Sequence, residues 1–251
     1  MMNAIHRFST RVENYIRYRP HYPPGILDCL REDCGLTPAS VVADVGSGTG
    51  ILAELFLRHG NTLYGVEPNR EMRAAGECLL QAYPRFHSIA ATAEETGLPA
   101  GSVDFVTAGQ AFHWFDRDRA RTEFKRILKP HGWVVLVWNE RRASTPFGKD
   151  YEALLRTYAT DYEHVNHQRI DAAVLREFFG QDFMTRTFDN GQSFDVQGLT
   201  GRLLSSSYAP EAGHPQHAAM LSTLQEIFDA HQVKGRVAFE YETEVYYGHL
   251  D

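Results

Sequence analysis

Apolar positions in the first half of the chain alternate between short continuous runs and stretches with helical spacing. The runs have the length and the β-branched composition of buried strands, and they lie at residues 41–45, 62–66, 103–107 and 133–138. Behind each of the first three, apolar residues recur every three or four positions, as in an amphipathic helix. This alternation predicts right-handed βαβ units and therefore an α/β fold built on a parallel sheet.

Helix ends and helix faces can also be predicted from this part of the sequence. Gly60 is expected to end the first helix, and Asp116 to cap the start of the third. The second helix is expected to turn Met72, Ala75 and Leu79 toward the sheet.

The pattern changes after residue 140. Two amphipathic helices, one starting at Thr145 and one around 170–179, predict a helical cap. Residues 183–194 are rich in β-forming residues and contain Asn190-Gly191. That dipeptide is typical either of a hairpin turn or of a bulge in one long strand, and both interpretations stay open.

Two further elements are predicted near the end of the chain. A helix is expected over residues 215–231. Residues 237–247 alternate between apolar or aromatic side chains and glutamates, which predicts a partly solvated strand at the edge of a sheet.

Composition and charge exclude several classes of protein. The 251 residues are 43% hydrophobic with 20 Gly and 11 Pro, which argues against collagen-like and natively disordered chains. Lys and Arg number 25 against 32 Asp and Glu, and the resulting net charge of -7 disfavours binding to a nucleic acid backbone. The longest apolar run, residues 133–138, is far shorter than the roughly 20 residues of a membrane span.

The protein is expected to be cytoplasmic. Charged residues interrupt any apolar segment near the start, so no secretory signal is predicted. The 3 cysteines form no C-x-x-C pair, which fits reduced thiols rather than disulfides or a zinc site. The 12 histidines show no H-E-x-x-H spacing, so no metal is expected.

The strongest chemical signal is the segment Asp44-Val45-Gly46-Ser47-Gly48-Thr49-Gly50, which follows the first strand and opens a helix. Glycines there allow a sharp turn and a close approach of the backbone to a ligand, at the positive end of a helix dipole. Glu67 ends the next strand, where a carboxylate can accept both hydroxyl groups of a ribose. A nucleotide-like cofactor is therefore predicted across the first two strands.

Small differences indicate which cofactor this is. The dinucleotide pattern G-x-G-x-x-G requires a small residue at position 51, and Ile51 stands there. No Lys follows the glycines, which excludes a phosphate-binding P-loop. The segment instead resembles the first motif of the class I S-adenosylmethionine-dependent methyltransferases, which has the form acidic-x-Gly-x-Gly-x-Gly.

The resemblance continues along the chain. Further segments similar to motifs of that family are residues 93–99, 103–106, 110–115 and 127–133. The start at 15–23 and the Ala-Phe-His-Trp core at 111–114 look like a small-molecule branch that includes trans-aconitate and quinone-pathway methyltransferases. The similarity covers residues 8–140 well, and the rest only through 205–208 and the last strand.

The resemblance implies S-adenosyl-L-methionine as the cofactor, bound by a set of residues that starts with Asp44. Gly46, Ser47 and Gly48 would line its methionine part, and Glu67 would hold the ribose. The other implied cofactor contacts are Pro68, Met72 and Phe112 around adenine, Ala93 and Glu94 at the adenine edge beside Thr92 (where many relatives have Asp), Gln110 and Ala111 along the path of the sulfonium, and Tyr15 and Arg19 over the carboxylate.

The acceptor side is less defined by the sequence. His113 is the candidate general base because its ordinary pKa suits neutral pH, with orientation of the loop as the alternative role. Arg141 and Arg142 could attract a carboxylate-bearing acceptor or form a solvated pair in a loop. Residues expected to face the acceptor are Trp114, Asn139, Arg142 and Tyr208.

The resemblance implies one domain over residues 1–251, with the family's Rossmann-like sheet of seven strands, helices on both faces and an antiparallel last strand. Residues 8–140 would bind the cofactor, and residues 143–180 and 195–232 would cover the acceptor. The predicted function is methyl transfer to a small-molecule acceptor. A NAD-dependent oxidoreductase and a non-catalytic, cofactor-binding regulatory protein remain as alternatives.

Overall fold

A computed structural model describes residues 12–160, 162, 172–180 and 182–251. The strands are β1 (Val41–Val45), β2 (Thr62–Val66), β3 (Phe86–Ile89), β4 (Val103–Gly109), β5 (Leu128–Arg141), β6 (Met184–Phe194) and β7 (Val237–Gly248). The helices are α1 (Val12–Tyr18), α2 (Gly25–Cys34), α3 (Ile51–His59), α4 (Arg70–Leu80), α5 (Arg117–Ile127), α6 (Pro146–Tyr158), α7 (Ala172–Phe179), α8 (Val196–Leu204) and α9 (His217–His231), with a 3-10 turn at Phe112–Trp114.

The seven strands form one sheet in the order β3-β2-β1-β4-β5-β7-β6. The strands β1 to β5 run parallel to one another, and β7 lies antiparallel between β5 and β6. The prediction of a seven-stranded α/β sheet with a reversed last strand is confirmed.

The central strands are apolar on both faces because helices cover both sides of the sheet. Successive residues of β5 alternate between two clusters: Val134 and Leu136 pack with Phe124 of α5, whereas Val135 and Val137 pack with Phe56 of α3. We call these the α5 cluster and the α3 cluster. Complete burial of one such side chain contributes roughly 1.5–3 kcal/mol to the free energy of unfolding.

A third cluster, the cap cluster, joins α6, α8 and α9. It includes Tyr151, Leu199 and Leu224, together with Phe239 and Tyr241 from the first half of β7. One strand of the sheet therefore supplies part of the core of the cap.

The predicted helix boundaries are confirmed where capping residues set them. Thr145 Oγ1 accepts a hydrogen bond from the Gly148 backbone N–H at 3.0 Å and precedes Pro146, the first residue of α6. Asp116 accepts one from the Arg119 N–H at 3.2 Å at the start of α5. Gly60 ends α3 in the left-handed conformation, with φ of 101°.

The buried face of α4 differs from the prediction. Met72, Gly76 and Leu80 are buried, whereas Leu79 is 48% exposed. The buried positions follow a strict four-residue spacing, and Leu79 lies one position off that row. Gly76 is buried because α4 packs here against the backbone of the glycine loop. A Cβ at this position would lie only 3.2 Å from Gly48 O.

The last two strands also correct the sequence analysis. Asn190 pairs with Tyr241 and Gly191 with Glu240 within an unbroken register, so this dipeptide forms neither a turn nor a bulge. β7 is an interior strand, because β6 takes the edge position beside it. Glu240 and Glu242 remain compatible with that place since both lie near the Arg142 guanidinium, at 3.9 and 3.5 Å.

Other differences concern the extent of elements. The helix α9 begins at His217 rather than at 215, and β5 is longer than the predicted run. The helices α1, α2 and α8 and the strand β3 were not predicted from the sequence. Ile170, the expected start of the second cap helix, lies outside the described residues. Within the described ranges, no helix is both long and apolar enough to span a bilayer.

A close approach of α1 to α8 gives a first testable prediction. A Cβ at Gly201 would lie 2.0 Å from the ring of Tyr18, so Gly201→Ala must push α1 away from α8. We expect the free energy of unfolding to fall by about 1–3 kcal/mol, measured by urea denaturation, and trypsin to cleave faster after Arg17. Tyr18→Ala removes the ring that overlaps with the new Cβ. The double variant Tyr18→Ala, Gly201→Ala should therefore be cleaved no faster than Tyr18→Ala alone. Unchanged stability of Gly201→Ala would contradict this packing.

Candidate functional site

The glycine-rich loop joins β1 to α3 and is held tightly against its neighbours. The backbone N–H groups of Gly46 and Ser47 donate to Val66 O at the end of β2, at 2.8 and 3.1 Å. Gly46 has a φ of 69°. A Cβ there would lie 2.5 Å from the Cβ of Ala111, so only glycine fits.

Glu67 binds this loop from the end of β2. Its Oε2 accepts a hydrogen bond from the Gly48 N–H at 2.8 Å, and its Oε1 accepts one from the Asn69 N–H at 2.8 Å. Burial raises the pKa of Glu67, and these two hydrogen bonds partly offset the increase. Each carboxylate oxygen can accept a further hydrogen bond, so the group can still bind a pair of hydroxyl groups.

Asp44 is the most unusual charge in this part of the protein. It is 1% exposed, and its Oδ1 accepts a hydrogen bond from Thr107 Oγ1 at 2.9 Å. Its Oδ2 is buried and has no hydrogen-bond partner among the described residues. Burial raises the pKa of Asp44 to about 7. The unpaired oxygen can accept from a buried cationic group of a ligand, which would stabilise the ionised form.

A cavity of about 700 Å³ opens beside Asp44, at the carboxyl ends of the parallel strands. This is the edge of an open α/β sheet at which ligands bind. The predicted site residues that line the cavity are Tyr15, Arg19, Asp44, Gly46, Ser47, Gly48, Gln110, His113, Trp114, Asn139 and Tyr208. The structure therefore brings together residues from the start, the middle and the last third of the chain.

Gln110 lies where β4 ends in this cavity. Its φ is 56°, a conformation that costs energy for any residue other than glycine. The Gln110 N–H donates to Val137 O at 2.9 Å and its side-chain amide donates to Asn139 O at 3.2 Å, which hold this conformation in place.

Other predicted cofactor residues lie outside the cavity. Glu67 and Met72 contact the glycine loop from the side of β2 and α4, where the Met72 Cε is 3.3 Å from a Cβ built on Gly48. Thr92 forms a bridge with Glu95, and Glu94 accepts from the Asp116 N–H at 2.9 Å. The remaining members of the predicted set that do not line the cavity are Pro68, Ala93, Ala111 and Phe112.

The structure contradicts the predicted stacking of Phe112 on adenine. Phe112 is fully buried, and its ring centroid lies 4.5 Å from that of Phe178 in α7 and 6.3 Å from that of Trp138. Its ring is part of the α5 cluster, so no face is left for a ligand.

Arg142 is also placed differently from the prediction. Its guanidinium forms ion pairs with Asp189 and Glu242 and does not line the cavity. Its neighbour Arg141 lines the cavity instead. Adjacent residues of an extended chain point to opposite sides, so the sequence indicates that only one of the two arginines can face the cavity, but not which.

Arg202 lines the cavity and was missed by the sequence analysis. It is 6% exposed, its Nε donates to the Tyr241 hydroxyl at 2.9 Å, and its guanidinium donates to Ser206 Oγ at 3.2 Å. The sequence contained one signal for this residue. Arg202 is the single charged residue of α8, whose other residues are apolar, small or uncharged.

His113 lines the cavity next to Trp114, with 4.6 Å between their ring centroids. Burial lowers the pKa of His113 to about 4. The imidazole is therefore neutral at pH 7 but a weak base, which favours a role in orienting the loop over a role in accepting a proton. No group of three or more His, Cys, Asp or Glu side chains within the described part of the chain could hold a metal ion.

Part of this chain resembles known methyltransferases in sequence. Residues 43–136 match the sequence profile of the family described as methyltransferase domain. An uncharacterized methyltransferase-like protein of Schizosaccharomyces pombe is 32% identical over 155 residues, covering 61% of this chain and 59% of that protein. An uncharacterized methyltransferase of Mycobacterium tuberculosis is 40% identical over 136 residues, covering 53% of this chain and 52% of that protein. The chain thus spans between half and three-fifths of the length of these curated relatives.

A solved structure extends the comparison to nearly the whole chain. The putative type II methyltransferase of Anaeromyxobacter dehalogenans superposes with a TM-score of 0.65 at 21% identity, covering 92% of this chain and 98% of that one. This likeness shows that the two proteins have the same fold.

The buried charge of Asp44 leads to a prediction about stability and pH. Because its pKa is raised to about 7 in the folded protein, the unfolded chain loses this proton first as the pH rises, and the free energy of unfolding decreases. Asparagine does not titrate, so the stability of Asp44→Asn does not carry this dependence on pH. Relative to the wild type, the variant should gain on the order of 3 kcal/mol between about pH 4 and pH 8, measured by urea denaturation.

The matched control is Glu226→Gln, which changes an exposed carboxylate of α9. The stability difference between this variant and the wild type gives the effect of removing a carboxylate that is not buried. A gain for Asp44→Asn that is the same at both ends of the range would contradict the raised pKa.

Proposed function

We propose that this chain is a class I S-adenosylmethionine-dependent methyltransferase and that it transfers a methyl group from this cofactor to a small-molecule acceptor. The observation that carries the proposal is the pair of buried carboxylates, Asp44 and Glu67, on either side of the glycine loop. When bound, the cofactor supplies a methyl group that a sulfonium already activates for transfer.

The residues of the loop fit the parts of this cofactor. Asp44 Oδ2, buried and without a partner among the described residues, would accept from the ammonium group. Glu67 would accept from the ribose hydroxyls while it keeps its bonds to the loop backbone. Met72 and Pro68 would pack beside adenine.

Tyr15 and Arg19 would bind the cofactor carboxylate from the other side. The Arg19 guanidinium lies 4.8 Å from the centre of the Tyr15 ring and donates to Ser205 O at 2.9 Å. Its Nε is buried without a partner in the described structure, so the guanidinium has a donor left for a carboxylate.

The cap helices would cover the acceptor and exclude water. Arg141, Tyr162, Arg202, Tyr208 and Tyr241 line the same cavity as Asp44. We therefore assign the residues around 143–180 and 195–232 to the acceptor and the residues before 140 to the cofactor. Exclusion of water strengthens every charge interaction within such a site.

Alignment of the reacting groups is what this chain contributes to the rate. Holding an acceptor in a fixed position in a water-poor cavity accounts for a large share of the barrier reduction in reactions of this type. His113 is neutral and weakly basic, so the proposal assigns it no proton transfer.

Two observations support the wider assignment. A net charge of -7 is unfavourable for a nucleic acid substrate, so we propose a small molecule. The three cysteines form no disulfide, which supports the cytoplasm as the location.

Cofactor binding can be tested by calorimetric titration with S-adenosylmethionine, S-adenosylhomocysteine and NADH. We expect the first two to bind in the micromolar range and NADH not to bind. Glu67→Gln should weaken binding by about tenfold or more, because it removes the charge that accepts from the ribose. The exposed control Glu226→Gln should bind as the wild type does. Binding of NADH alone would replace this proposal with the oxidoreductase alternative.

Turnover distinguishes an enzyme from a regulatory protein that only binds the cofactor. Methyl-labelled cofactor is incubated with the small-molecule, protein and nucleic acid fractions of a cell extract, and we expect label to appear in the small-molecule fraction. His113→Gln should retain more than about one tenth of the rate, since loss of a general base costs roughly a hundredfold or more. Label confined to the nucleic acid or protein fraction, or cofactor binding without any transfer, would overturn the assignment.

A further inference from the structure

The part of the cavity that faces the cap contains two arginines, the partly buried Arg141 at the end of β5 and the buried Arg202 in α8. The side chain of Arg141 is 15% exposed, and residue Arg202 is 6% exposed. Both guanidinium groups stack on aromatic rings, Arg141 at 5.2 Å from the centre of Tyr151 and Arg202 at 5.3 Å from the centre of Phe239. Since Tyr151 and Phe239 are themselves 5.0 Å apart, the two positive charges belong to one compact group.

Neither guanidinium is fully paired with the described residues around it. Arg141 pairs with Glu152, which also accepts from the Tyr162 hydroxyl at 2.7 Å. The Nε of Arg141 is buried and has no partner in the described structure. Arg202 donates to two hydroxyl groups, and within the described ranges no carboxylate lies close enough to form an ion pair with it.

A buried cation without a counter-ion is costly, because its solvation by water is lost and no opposite charge replaces it. A third guanidinium, that of Arg19, lies near Arg202, and the proposed function already assigns the cofactor carboxylate to it. At the cap end of the cavity, Arg202 therefore keeps a positive charge that no carboxylate of the described residues pairs with.

The pKa of Tyr208 shows the effect of the same two positive charges. Burial by itself would raise the pKa of this phenol, but the neighbouring Arg141 and Arg202 lower it below its ordinary value. Tyr208 lines the cavity, so the field extends into the space where a ligand would lie.

We propose that Arg141 and Arg202 bind the anionic group of the acceptor, a carboxylate or a phosphate, so that the substrates of this protein are small organic acids or phosphate esters. The inference rests on the proposed function and names the class of its acceptor. Guanidinium groups donate two parallel hydrogen bonds to either anion. A neutral analogue of the same shape would leave the buried charges unpaired and would be rejected.

Glu152 occupies part of this subsite and limits its affinity. Its carboxylate pairs with Arg141 and would compete with an incoming anion for the same guanidinium. Replacing Glu152 with Gln removes the competing charge and nearly keeps the shape. This variant should bind anions more tightly, whereas loss of either arginine should weaken binding.

Binding of three matched probes tests the proposal. Benzoate and phenyl phosphate carry the two anions, benzamide is neutral, and each is titrated into the protein saturated with S-adenosylhomocysteine. We expect at least one anion to bind about tenfold or more tightly than benzamide. Comparison of benzoate with phenyl phosphate distinguishes the carboxylate from the phosphate. Arg202→Gln should abolish the preference for the anion, and Glu152→Gln should increase it.

Controls separate the failure of this inference from other failures. Arg58→Gln removes an arginine that is 69% exposed on α3 and should bind the probes as the wild type does. Arg141→Gln is used beside Arg202→Gln in case the latter does not fold, which circular dichroism would show. If S-adenosylhomocysteine does not bind the wild type, the proposed function has failed, and the anion preference is then measured on the protein alone. If S-adenosylhomocysteine binds but benzamide binds as well as the anions, or the arginine and glutamate variants change nothing, the inference is overturned.

Discussion

The parallel arrangement of the central strands is the constraint on which the rest of this structure depends. Each crossover helix returns the chain to the amino-terminal ends of the strands. Every loop that follows a parallel strand therefore lies at the carboxyl ends of the strands. The loops after β1, β2, β4 and β5 are thereby brought together, although Asp44 and Arg141 are far apart in the chain. The close contact of Gly46 with Ala111 fixes the distance between two of these loops.

Much of the fold could be predicted because its signals are local. The strand from Val41 to Val45 is apolar, lies in the centre of the sheet and is followed by glycines, and capping residues such as Asp116 mark helix ends through bonds to their own neighbours. β3 gave no such signal, since none of its four residues is buried. The place of β7 inside the sheet depends on β6 pairing with it, which is a contact between distant segments that periodicity does not contain.

The same distinction explains the site. Asp44, Gly48 and Glu67 lie within one βαβ unit, where sequence spacing directly reflects spatial spacing. The other end of the cavity is assembled from β5, α6, α8 and β7, and the position of Arg202 depends on how the cap packs. Phe112 was misplaced for a related reason, because it is the contact with α7 that buries its ring.

The strand β7 belongs to two hydrophobic cores at once. Val245 and Tyr247 pack in the α3 cluster, whereas Phe239 and Tyr241 pack in the cap cluster. Movement of the cap helices away from this interior strand would expose Phe239 and Tyr241 to water, which ties the cap to the sheet. By contrast, α1 contributes Tyr15 to the cavity and has no fully buried residue. Detachment of this one helix would open the amino-terminal side of the cavity and leave the pairing of β7 intact.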